Sequence, residues 1–292
     1  MTKYMGKRQK TRKNTHHTNT HHTNTQQKTW KKQQKQKKQK TYRKDRKKTK
    51  IVDPEFSKST HKGTQASSHC ELCERSYHYQ SYSTFTDFIE IIHEKRKLSY
   101  VYMPADFSDM TIELTFKNRK INPLFIGLQK FKKEVMKGIK DPSISLIPVV
   151  FNLEIDKGDN HANCIVIHKQ SKHIELFEPH GHRMSASTLG GNVGAYNQKL
   201  TLLRKFWRPI LPDYRVINVV DEVKKTAFQM NKDPVKSTGY CVTWSLLYAH
   251  YRILNPTVDY KVLIRYIDHK IGTRLLLRYA RKVEETLKFD DT

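Results

Sequence analysis

From Thr84 onward apolar residues recur with regular periods, whereas before it they are scarce. TFTDFIEIIHEKRKL, residues 84–98, places Phe85, Phe88, Ile89 and Ile92 at helical spacing, with Thr84 suited to cap the first turn. YVYMP and TIELTF read as short extended pieces. Pro123 suits a first helical position, so PLFIGLQKFKKEVMKGI predicts a second helix with Leu124, Phe125, Leu128, Phe131 and Val135 inward. Residues 145–155 form a β-rich apolar run and predict a central strand, with Pro148 near its start. After the turn DKGDN comes a hairpin pattern: a strand over 162–168, the polar turn KQSK, and a strand over 173–177. YNQKLTLLRKFWRPI predicts an amphipathic helix, and residues 214–220, YRVINVV, another strand. Residues 239–250, GYCVTWSLLYAH, read as a loop ending in glycine and then a buried helix with Cys241 in its first turn. TVDYKVLIRYIDHKI and RLLLRYARKVEETL predict two closing helices whose apolar stripes face the core. The mixture predicts an α+β fold, a central mixed β-sheet flanked by helices.

Charge separates the chain into parts. Residues 1–50 hold 19 Lys and Arg against one acid, Asp45, and so carry +18 of the net +27. Residues 1–60 are Lys, Gln, Thr, Asn, His and Arg with almost no large apolar group, too few to offset ordering entropy. A disordered polybasic tail is expected over 1–60, a linker over 61–83 and a globular domain over 84–292. The tail's Lys-rich run suits phosphate or another anionic surface, and equally suits plain solubility.

The four cysteines are too few for a disulfide scaffold in 292 residues. The N-terminus lacks an apolar signal-peptide core, and no run approaches the length of a membrane span. The expectation is a reducing compartment and no secretion. Cys70 and Cys73 make a C-x-x-C pair, and His78 follows at zinc-knuckle spacing, but Ser83 stands where the knuckle's last cysteine would fall. A pair of thiols in a linker is the plainer reading, and a metal would need His69, His61 or His93 as its fourth ligand.

Cys241 is the residue with a sharper chemical use. Unpaired N–H groups at a helix start favour thiolate, the nucleophilic form. A buried cysteine can equally be a small core residue. A thiolate hydrolase also needs a base, a group to orient it and an oxyanion donor. His161 stands at the mouth of the first hairpin strand, and Glu178 ends the second, so the two lie near each other at one edge of the sheet. Gln229, on the loop before Cys241, can donate an amide N–H.

HANCIVIHKQSKHIELFEPHG resembles the catalytic hairpin of the adenovirus-type endopeptidases, the adenain family. That hairpin has a histidine, a strand, a turn, a strand and an acid within L-F-E-P-x-G; here these places fall on His161, Leu176, Phe177, Glu178, Pro179 and Gly181. GYCVTWSLLYAH resembles the nucleophile helix of the same clan, which includes the SUMO and ubiquitin-like-protein proteases. The order of base, acid and nucleophile is also the clan's. Two places depart from it: Ala162 stands where Trp often follows the histidine, and Gln229 lies twelve residues before the cysteine instead of six or seven. The resemblance implies a thiol protease with His161, Glu178, Cys241 and Gln229 as its machinery and no metal or organic cofactor. It implies protein substrates cut after small residues such as Gly-Gly, and a processing role in a large DNA virus, in the virion or host cytoplasm. Cleavage of isopeptide bonds to ubiquitin-like modifiers is the alternative. A nucleic-acid-binding protein on an inactive protease fold is a third reading.

Overall fold

A computed structural model of the chain describes residues 50–55, 82–117, 120–123, 127–155, 159–179, 199–223, 228 and 240–290. The chain divides into two units, Met1–Lys50 and Ile51–Thr292, and the architecture below is that of the second. Residues 61–81 of the expected linker, with Cys70, Cys73 and His78, lie outside the described residues, as does Gln229.

Six strands form one mixed sheet: β1 (Thr111–Lys117), β2 (Lys120–Pro123), β3 (Leu146–Ile155), β4 (Asp159–His168), β5 (His173–Phe177) and β6 (Arg215–Asn218). Their spatial order is β2-β1-β3-β4-β5-β6. β1 runs parallel to β3, and β5 to β6; the other neighbours are antiparallel. The helices are α1 (Tyr82–Arg96), α2 (Leu128–Lys140), α3 (Lys199–Trp207), α4 (Cys241–Leu254), α5 (Tyr260–Lys270) and α6 (Thr273–Asp290). The expected α+β class and its helix-flanked mixed sheet are therefore present.

The two sheet faces take different helices. Gly138 of α2 lies so close to Ile147 and to Tyr102 that an added Cβ would come within 2.9 Å of each, so α2 packs closely on the Ile147 face. α3 joins it through the edge contact of Trp207 with Phe131. The opposite face receives α4, whose turns are nearly all buried. A helix apolar all round belongs inside a layered fold. α1, α5 and α6 close over α4: His250 of α4 meets Phe88 and Tyr279, and Tyr251 meets Tyr266.

α4 is tied to the β4–β5 hairpin by a buried ion pair. Arg252 Nη2 donates to Glu175 Oε1 at 2.8 Å, with the two side chains 2% and 0% exposed. The Tyr248 hydroxyl donates to the other carboxylate oxygen at 2.8 Å. Arg252 Nη1 donates to the carbonyls of Asn255 and Val258.

Several expectations need correction. Pro123 does not open a helix; it ends β2, a short charged edge strand, and α2 starts at Leu128. YVYMP contributes one bridge, Val101 to Leu146. YRVINVV is a four-residue strand followed by a 3-10 turn over Val219–Val223. The hairpin is interior, since β2 and β6 form the edges. Finally, residues 51–55 were expected in the tail but are held on the domain. Ile51 packs on the core. The Val52 backbone makes two hydrogen bonds with the Asn255 side-chain amide. Asp53 accepts from Tyr251, Tyr266 and Lys270. Polar contacts to folded helices do here what apolar side chains usually do.

Two measurements test this architecture. His250 is enclosed, and burial, aided by the Arg96 charge, lowers its pKa from 6.5 to about 3. The unfolded chain therefore binds the extra proton between those values, so stability is complete above about pH 6.5 and falls as pH drops toward 3. The slope for this one group approaches about 1.4 kcal/mol per pH unit, and urea midpoints across pH for His250→Phe should show a flatter acid limb. Arg252→Met should cost about 3–5 kcal/mol, because it strands the Glu175 carboxylate, and Glu175→Leu added to it should recover part of that loss in a denaturation series.

Candidate active site

α4 runs alongside β4. At its start, Cys241 and Val242 cluster with Ala162, and Ser245 Oγ donates to the Ala162 carbonyl at 3.4 Å. Further on, the Ala249 backbone hydrogen-bonds the Cys164 thiol. Beyond its end, the Pro256 carbonyl lies 2.7 Å from His168 Nε2. Fourteen helical residues span about 21 Å at 1.5 Å each, and the six steps from position 162 to 168 span about 20 Å at 3.4 Å each. The helix and the strand thus match in length, and the helix N-terminus falls where β4 begins and β5 ends.

The expected site residues come from that end. Cys241 is the first residue of α4 and is 8% exposed. Its predecessor Tyr240 is the N-cap and makes no side-chain capping hydrogen bond. His161 lies in β4 opposite Leu153, one residue before the Ala162 that clusters with Cys241 and Val242. Glu178 follows the last ladder pair, Cys164 with Phe177, by one residue. Extending the ladder one step puts position 178 opposite 163, so 161 and 178 are diagonal neighbours. By strand alternation those two positions belong to the α2 side and Ala162 to the α4 side. The place where the three candidates can meet is therefore the rim of the sheet rather than either face.

Glu178 is 2% exposed. A carboxylate buried to that extent must be hydrogen-bonded or paired, because an isolated buried charge is prohibitively costly. Cys164 is a second buried cysteine, and burial with the nearby Glu175 charge raises its thiol well above the usual range. Cys164 is thus poorly suited to act as a thiolate.

Two residues bear on the site that the sequence reading did not single out. Phe228 is fully buried and packs its ring 5.5 Å from Phe177 and 5.0 Å from Trp244. Those partners stand one residue before Glu178 and three after Cys241, so the backbone next to Gln229 is anchored between both candidates. Asn152 is 4% exposed in β3, opposite Ala162, and its Oδ1 has no hydrogen-bond partner. Leaving a buried acceptor unpaired costs about 1–3 kcal/mol. A lone amide inside the apolar run LIPVVFNLEI was visible in the sequence.

Among the described residues, no group of three or more His, Cys, Asp or Glu could hold a metal ion. No helix among them is long and apolar enough to cross a membrane.

No family model matches the chain, and no curated protein matches it. Among solved structures the chain is similar to ChlaDub1 from Chlamydia trachomatis, at 11% identity and a TM-score of 0.40, over 70% of this chain and 89% of that one. It is also similar to the C-terminal Ulp1 protease domain in complex with Smt3, the yeast ortholog of SUMO, at 13% identity and a TM-score of 0.35, over 73% and 82% of the two chains. Ulp1 is described as a SUMO protease with a catalytic cysteine.

Proposed function

We propose that the chain is a thiol peptidase with Cys241 as nucleophile, His161 as base, Glu178 as the group that orients the base, and Gln229 as oxyanion donor. The observation that carries this reading is the position of the α4 N-terminus. It sets Cys241 against Ala162, next in sequence to His161, at the end of the hairpin where Glu178 is buried. Gln229 gains support from Phe228, whose packing holds the neighbouring backbone beside that end.

The steps follow from the groups. His161 takes the Cys241 proton, and the thiolate adds to a peptide or isopeptide carbonyl. Gln229 and the backbone N–H of Cys241 stabilise the oxyanion. His161 passes the proton to the leaving amine as the C–N bond breaks, leaving a thioester. Water, deprotonated by His161, attacks the thioester, and the carboxylic acid departs as the thiol is restored.

The adenain-like context of the hairpin extends this to an endopeptidase that cuts after small residues and trims structural precursors of a large DNA virus. The basic segment Met1–Lys50 would recruit it to nucleic acid. Deconjugation of ubiquitin-like modifiers uses the same chemistry. Rapid labelling of Cys241 by a ubiquitin-like electrophilic probe would select that substrate class, and labelling only by short Gly-Gly peptides would select the endopeptidase.

Alkylation of the native protein across pH tests the centre. Cys241 should react well below pH 8, His161→Ala should abolish that enhancement, and Cys241→Ala should lower peptide turnover by at least about a thousandfold. A Cys241 that titrates as an ordinary thiol near pH 8.5 would falsify the assignment. For the basic segment, removing residues 1–49 preserves the anchored stretch from Ile51. It should weaken nucleic-acid binding and flatten its salt dependence, read by fluorescence anisotropy at several salt concentrations. Unchanged binding sinks the recruitment role.

A further inference from the structure

We infer that Asn152 is a substrate-binding residue of the Cys241 centre, with its side-chain carbonyl accepting a backbone N–H of the bound peptide. This rests on the peptidase reading above. Asn152 and Ala162 are directly opposed in the β3–β4 ladder, so they share the α4 face of the sheet. Directly opposed residues hold their Cβ atoms about 5 Å apart. Ala162 in turn belongs to one small apolar cluster with Cys241 and Val242, whose neighbours lie within about 4 Å of one another by the usual measure of contact. The carboxamide therefore lies on the order of 10 Å from the thiol, and two extended residues of a substrate cover about 7 Å of that span.

Asn152 is 4% exposed, and its Oδ1 is unpartnered. Of the other polar groups on this face, Arg252 Nε and His173 Nδ1 also lack partners, whereas others are engaged. Glu175 receives Arg252 and Tyr248, and Ser245 donates to Ala162. A buried acceptor beside a nucleophile is suited to a donor that arrives with the ligand. A peptide in extended form supplies such a donor, a backbone N–H, whatever its side chains. The contact would serve binding of the chain one or two residues from the scissile bond and would leave the chemical step to Cys241 and His161. An amide kept only for packing would be better replaced by an apolar side chain of similar size.

The test uses the full chain and a short peptide substrate with a Gly-Gly cleavage site. Asn152→Leu should raise KM about tenfold with kcat within about threefold, while its melting temperature holds or rises. Asn152→Thr, which keeps a neutral oxygen acceptor at similar size, should hold KM within about threefold of the parent. In a Cys241→Ala background, calorimetry should show the peptide binding about tenfold more weakly once Asn152→Leu is added. Equal KM and equal binding with and without Asn152→Leu overturn the inference, as does a loss of turnover that tracks a fall in melting temperature. If Cys241→Ala abolishes turnover while Asn152→Leu changes nothing, the peptidase reading stands and the role of Asn152 falls. If the native chain neither binds nor cleaves the peptide, both fall.

Discussion

The arrangement depends on one buried ion pair, Glu175 with Arg252. Each partner alone would be an intolerable buried charge, so the pair admits little slack in the placement of α4 against the hairpin. Tyr248, one turn earlier, shares the same carboxylate, and Arg252 also donates to two carbonyls just past the helix end. A slip of α4 by one residue, about 1.5 Å along its axis, would break several of these bonds at once. The far end of the same rigid helix is Cys241. Fixing the helix at Arg252 therefore fixes the thiol relative to Ala162 and to the end of β5. The pair's role is one of registry more than of net stability, since buried ion pairs often add little to stability by themselves.

Much of this was readable from the chain because period and burial agree there. β5 occupies the predicted residues, and the apolar run containing Pro148 is the strand beside β4. Glu175 inside HIELF and Arg252 at the end of LLYAHYRIL were also visible as charges in apolar runs, and the structure pairs them. What the pattern could not give were features set by distant partners. β2 has four residues with lysine at its start and proline at its end, which is how an edge strand avoids further pairing and also why it lacks a strand signature. The stretch at Ile51 has too little apolar content to predict burial. It is held by Asn255, two hundred residues away, and by hydroxyls on α4 and α5.

The candidate site divides along the same line. Cys241 and Glu178 could be placed at element ends because strand and helix patterns locate their own boundaries. Gln229 could not, since loop length in sequence says little about where a loop returns. Phe228, just before it, is fixed by packing on Phe177 and Trp244. Asn152 was hidden for another reason. The neighbour that gives it meaning, Ala162, is reached only through the strand register, and a one-residue slip would put the amide on the other face.

Glu175 and Glu178 stand three residues apart and are equally removed from water, yet their surroundings favour opposite uses. Glu175 is held by a guanidinium, which stays charged at any working pH, and by a hydroxyl that burial and the adjoining carboxylate push far above its usual pKa. That network serves as a fixed joint. Glu178 stands one step past the last ladder pair, and in the function proposed above its partner is His161, the side-chain type that gains and loses a proton near neutral pH. A carboxylate beside a histidine favours the imidazolium and so helps the ring accept a thiol proton. On that proposal the nature of the partner, rather than burial of the acid, separates the joint from the reactive pair. One short hairpin can then hold the helix at one residue and assist the thiol at its head from another.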